Sequence, residues 1–135
     1  MASLRMSVPI FIEYDDDVAK TLEMARRVAN VVAFVGYNHG DPITSATELQ
    51  RKVYGLVKGA LSSRMTITII QQVAGTYAHV KNMGETIDQP LGYTKKIAVF
   101  MIGKQGRDAR IQRDGTLSIW TVKGRKQLRY CLYDQ

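Results

Sequence analysis

Between Asp15 and Gln89 the apolar residues of this chain recur every three or four positions, and on either side of that stretch they alternate. A period near 3.6 marks amphipathic helix and a period of two marks a strand with one buried face. A strand, then helices, then several strands is neither a pure bundle nor a sandwich. It predicts an α+β fold, with an early strand separated from the rest of its sheet by inserted helices. In the first strand Met6, Val8, Ile10, Ile12 and Tyr14 share one face and Arg5, Ser7, Pro9, Phe11 and Glu13 the other. Pro9 has no N–H to give to a ladder, which predicts an edge position or a bulge.

Three helices are expected. The first runs from about Val18 to Val35, with Val18, Leu22, Ala25, Ala29, Val32 and Val35 on its apolar face, before Gly36, Gly40 and Pro42. Asp15, Asp16 and Asp17 precede it. Three carboxylates there suit a helix N-terminus and its dipole; the competing reading is a set of metal ligands. Ser45 and Glu48 have the spacing of a capping box. The helix behind them carries Leu49, Val53, Leu56, Val57 and Ala60. After Ser62 and Ser63 a third helix extends to about Asn82, with Ile67, Ile70, Val73, Ala74 and Tyr77 inward, and Gly84 ends it. Beyond Pro90 short extended segments follow: Ile97 to Ile102, Ala109 to Gln112, Thr116 to Val122, and the alternation of Leu128, Tyr130 and Leu132. Asp114-Gly115 is a hairpin signal. Gly103 to Asp108 and Lys123-Gly124-Arg125-Lys126 read as turns.

Charge is distributed unevenly along the 135 residues. Residues 1–45 hold four basic and six acidic side chains, residues 46–90 five and three, and residues 91–135 ten and three. The net charge of +7 therefore equals the excess of the last third alone. A concentrated basic segment points to an acidic partner, above all nucleic acid. Lys95, Lys96, Lys104, Arg107, Arg110, Arg113, Lys123, Arg125, Lys126 and Arg129 are the candidate RNA-binding residues, with Tyr93, Trp120, Tyr130 and Tyr133 interleaved. Cations hold phosphates and aromatic faces stack bases, although Trp120 reads more readily as core. On the third helix Arg64, Thr68, Gln71 and Gln72 are candidate DNA-binding residues, since Arg and Gln read base edges. An ordinary solvated helix face accounts for them as well.

Catalytic chemistry is not expected. There is no P-loop pattern, and neither His39 nor His79 sits in a nucleophile motif. One cysteine, Cys131, and two histidines do not make a zinc site, and no cofactor or metal is expected. The single cysteine suits a reducing compartment. The chain's apolar runs, such as Val31 to Val35, are far too short for a bilayer. With no signal-peptide pattern at the N-terminus, a soluble, cytoplasmic protein is expected.

The tail "GTLSIWTVKGRKQLRY", Gly115 to Tyr130, resembles the segment that TnpB proteins and related type V CRISPR nucleases carry before their nuclease domain. Ser118, Ile119, Thr121, Lys123, Gly124 and Arg125 match that pattern. Glu48 to Asn82 is similar to the family's paired recognition helices, with Tyr54 in the first and Val73 to Tyr77 closing the second. The resemblance implies a transposon-associated, RNA-guided nuclease relative. Residues 1–15 and 90–135 would form part of an oligonucleotide-binding-like β-barrel, the wedge, and 16–89 an inserted three-helix recognition domain. It implies guide RNA and target DNA as partners. Lys123, Arg125 and Lys126 match the family's basic turn, and Arg64 to Gln72 its recognition helix. The family's RuvC-like catalytic acids and zinc ribbon have no counterpart in this sequence. Binding without cleavage is therefore expected, whether as a split protein completed by a second chain bearing the nuclease, as an excised fragment, or as a degenerate relative that kept binding and lost cleavage. The alternative from the residues alone is a protein–protein adaptor whose helical pair packs on a partner and whose basic tail is incidental.

Overall fold

A computed structural model describes residues 9–94, 100 and 108–132. Its element order is β1 (Phe11–Ile12), α1 (Asp16–Tyr37), a short 3-10 turn (Asn38–Gly40), α2 (Ala46–Val57), α3 (Ser63–Asn82), β2 (Ala109–Ile111), β3 (Thr116–Thr121) and β4 (Gly124–Cys131). The four strands make one antiparallel open sheet in the order β1-β4-β3-β2. The architecture is α+β, and β1 takes an edge although three helices separate it from the other strands. The strand expected at Ile97 to Ile102, and residues 1–8 of the first one, lie outside the described residues apart from Phe100, which packs against both cores.

Each helix starts on a side-chain cap. Asp15 Oδ1 accepts from the N–H groups of Asp17 and Val18, both at 3.0 Å. Ser45 Oγ accepts from Glu48 N and Ser62 Oγ from Met65 N. Such caps satisfy N–H groups that have no intrahelical partner. The acidic run is thus a helix start, Asp15 as the cap and Asp16 and Asp17 in the first turn.

The helices enclose the larger core. Ala25, Ala29, Val32, Leu49, Val53, Met65, Ile69, Ile70 and Val73 are buried there around Tyr77. Two expected positions differ. Leu56 is 69% exposed, because Val53 and Val57 hold the inward line of α2. On α3 the buried set is Met65, Thr66, Ile69, Ile70, Val73, Ala74 and Tyr77, which turns Ile67 half outward. The Tyr77 hydroxyl donates to the Ala33 carbonyl at 2.6 Å and accepts from Leu91 N at 3.1 Å. Burial pushes this phenol's pKa up, which keeps the donor proton in place. Gly36 packs directly beside it: a Cβ there would stand 3.1 Å from Tyr77 Cε2.

A second, smaller core joins the sheet to α1. Val18, Ala109, Leu117 and Ile119 are buried, with Ile12, Leu22, Leu128 and Tyr130 packed around them. The register places Ala109, Ile119 and Lys126 in one row and Ile111, Leu117 and Leu128 in the next, all on this inner face. Thr21, fully buried on α1, accepts from Val122 N at 2.9 Å. Lys126 reaches Asp15 Oδ2 at 2.7 Å and Asp17 Oδ2 at 3.0 Å, tying β4 to the start of α1.

That tie sets a pH dependence. Lys126, then the backbone N–H of Val18, holds the Asp15 carboxyl below its usual range, and the two carboxylates hold the Lys126 amine above its own. A carboxylate with a lowered folded pKa adds stability that is complete above its unfolded value, about 3.9. That stability disappears as pH falls through the folded value. Lys126→Met therefore lowers Tm at pH 7, and its gap from wild type closes below about pH 4. Melting curves at pH 3, 5 and 7 check this; a gap of constant size would refute the tie.

Candidate nucleic-acid interface

The opposite face of the sheet carries the arginines. Arg110, Ser118 and Gln127 form one cross-strand row, Trp120 and Arg125 another, and Thr116 and Arg129 a third. Arg110, Arg125, Gln127 and Arg129 are exposed. Among the described residues no strand position on this face bears a carboxylate. Arg125 Nη1 donates to Ser118 Oγ at 3.0 Å, and Ser118 pairs across the sheet with Arg110. Like charges gathered on one face raise the potential over it and favour an anion.

The β2–β3 hairpin extends this surface. Its loop is Arg113-Asp114-Gly115, closed by Gln112 N donating to Thr116 O at 2.9 Å. Gly115 takes φ +82, the left-handed residue that a three-residue hairpin loop requires. Arg110, Ile111, Gln112, Arg113, Asp114 and Gln127 line a groove of about 580 Å³ here. Arg110 and Arg113 have no hydrogen bond or ion pair among the described residues.

Several candidates move from where the sequence puts them. Lys123-Gly124-Arg125-Lys126 is not one turn. Only Val122 and Lys123 turn, because the Thr121 hydroxyl holds Gly124 O and Lys123 N, and β4 begins at Gly124. Lys123 is exposed at that tip. Arg125 faces outward, whereas Lys126 faces inward and is committed to Asp15 and Asp17. Arg113 is exposed in the hairpin loop. Lys95, Lys96, Lys104, Arg107 and Tyr133 lie outside the described residues. Asp108, expected in a polar turn, is buried and accepts from Ser62 Oγ at 2.7 Å.

The aromatic residues serve packing. Trp120 is half-buried against the helical core and Tyr130 packs on the inner face. Tyr93 is clamped by Asn30, which donates to its carbonyl at 3.1 Å and accepts from its N–H at 2.7 Å. The outer face is therefore mainly an arginine surface, with the exposed ring of Phe11, opposite Cys131, at its β1 edge.

On α3, Arg64 and Gln71 are exposed on one helix face. Thr68 between them spends its hydroxyl on the Arg64 carbonyl at 2.8 Å. Gln72 points elsewhere: it is half-buried and its Oε1 is enclosed without a hydrogen-bond partner. The two candidate surfaces thus sit on different elements, with β4 and β2 bearing the stronger charge. Sequence reasoning missed Gln127 and Ser118; alternation with Arg125 and Arg129 along one strand would have found Gln127, whereas Ser118 on β3 needs the register.

Fold and surface together define a small α+β protein with an arginine-bearing antiparallel sheet face. No family model, no curated protein and no solved structure matches the chain. Among the described residues no helix is long and apolar enough to cross a membrane.

Proposed function

We propose that this chain is a nucleic-acid-binding module of a TnpB-like RNA-guided DNA-targeting system. The outer sheet face holds guide RNA, and the Arg64–Gln71 face of α3 helps recognise DNA beside the target. The observation that carries the reading is that Arg110, Arg125 and Arg129 all stand exposed on one sheet face. The finer architecture belongs to the same proposal: the sheet is part of an oligonucleotide-binding-like wedge, and α1 to α3 are a recognition bundle inserted after β1. Cleavage is assigned to a second chain with a RuvC-like domain.

The test is co-purification from the native host, with sequencing of bound RNA and mass spectrometry of bound protein. A discrete structured RNA, retained at low salt and released as salt rises, supports the reading. A protein partner with no enriched RNA favours an adaptor instead. One observation favours that second reading: Phe34 and Leu56 are 72% and 69% exposed on α1 and α2. Exposed apolar side chains of that size suit a protein contact.

A further inference from the structure

Asp114 is the one acidic side chain lining the groove beside the outer sheet face. Its local role is clear: Oδ1 accepts from Thr116 N at 3.1 Å and from the Thr116 hydroxyl at 2.5 Å, a bracket that closes the hairpin loop. That role uses one oxygen, and no hydrogen bond to Oδ2 occurs among the described residues. The Thr116 bonds, with the Arg129 charge nearby, hold this carboxyl below its usual range, so it is ionised at neutral pH. A fixed negative charge on a phosphate-binding face weakens backbone contacts. It is useful there only if the ligand also brings a hydrogen-bond donor.

A nucleotide brings both. Its phosphates suit Arg110 and Arg113, the two cations of the groove without partners of their own. Unpaired bases expose their Watson–Crick edges to side chains. An exocyclic amino group donates to a carboxylate, as cytosine N4 does to Asp or Glu. Uracil has a carbonyl at that position, and its lone pairs oppose the charge. Gln127 lines the same groove and can donate or accept beside it.

We propose that this groove binds one unpaired nucleotide of the RNA and that Asp114 makes it selective for bases with an exocyclic amino group over uracil. The inference rests on the RNA-binding reading above and adds a specificity that the basic face alone does not provide. Asp114→Asn is a clean probe, because the Asn side-chain oxygen still accepts from Thr116 N and keeps the loop.

The experiment is fluorescence anisotropy with single-stranded octanucleotides of cytidine and of uridine, on wild type, Asp114→Asn and Arg110→Gln. Wild type is expected to bind the cytidine oligomer about tenfold more tightly, the discrimination of one good side-chain–base contact. In Asp114→Asn the ratio falls towards one while uridine binding holds or improves, since a repulsive charge is gone. Arg110→Gln weakens both oligomers and keeps their ratio. Equal, salt-sensitive binding of both by wild type overturns the specificity and leaves RNA binding standing. Binding of neither overturns the RNA-binding reading, and the specificity with it.

Discussion

Replacing Arg110, Arg125 and Arg129 together by Gln leaves the protein folded and removes most of its RNA binding. All three are exposed strand positions on one face, and Gln keeps length and polarity there. Each phosphate contact on a single strand contributes about −0.7 to the slope of log affinity against log salt, so three contribute roughly −2. The variant should show a correspondingly flatter slope and about a hundredfold weaker binding near 0.1 M salt, at about 1 kcal/mol lost per exposed ionic contact. Filter binding between 50 and 200 mM salt measures both. Lys126→Met is the control: it faces the inner side, so it lowers stability and leaves the slope alone. An unchanged slope in the triple variant would remove the sheet face from the binding argument.

The largest effect on stability is expected at Tyr77. Its side chain is fully buried where α1 meets α3, against Gly36. Tyr77→Ala removes the ring and should cost about 3–5 kcal/mol. Tyr77→Phe keeps the ring but strands the Leu91 N–H and takes a donor from the Ala33 carbonyl, a cost of about 1–3 kcal/mol. Against a net stability on the order of 5–15 kcal/mol, the Ala variant is close to unfolding under ordinary conditions. Urea unfolding of the two variants gives the comparison. A loss below about 1 kcal/mol for Tyr77→Ala would mean the cavity collapses, contrary to the close packing at Gly36.

The helices are legible in the sequence because their signals are local. Asp15, Ser45 and Ser62 stand where caps must stand, and apolar spacing marks most of the buried face. The edge position of β1 follows from Pro9 and from the interruption by helices. What local pattern cannot carry is pairing across distance. Thr21 is polar yet fully buried because its partner, Val122 N, lies about 100 positions away. Lys126 belongs by composition to a basic turn, yet Asp15 and Asp17 claim it from the other end of the chain. Gly124 is a turn signal by residue type but opens a strand opposite Thr121. The arginine surface was legible as a list of charges. Its division into outward Arg125 and inward Lys126 needed the register.

The pairing of Phe11 with Cys131 has a consequence for how the molecule assembles. Those residues are about 120 positions apart, so seating β1 closes a loop that contains nearly every other described element. The entropy of closing a loop rises with its length, and contacts of such separation slow folding. The α-helices and the β3–β4 hairpin, whose contacts are local, are then the early structures. A two-residue strand closing late leaves the β4 edge available to another chain's strand in the meantime. During synthesis a ribosome-bound chain holds Phe11 long before Cys131 has emerged, and β1 waits unpaired until β4 follows it.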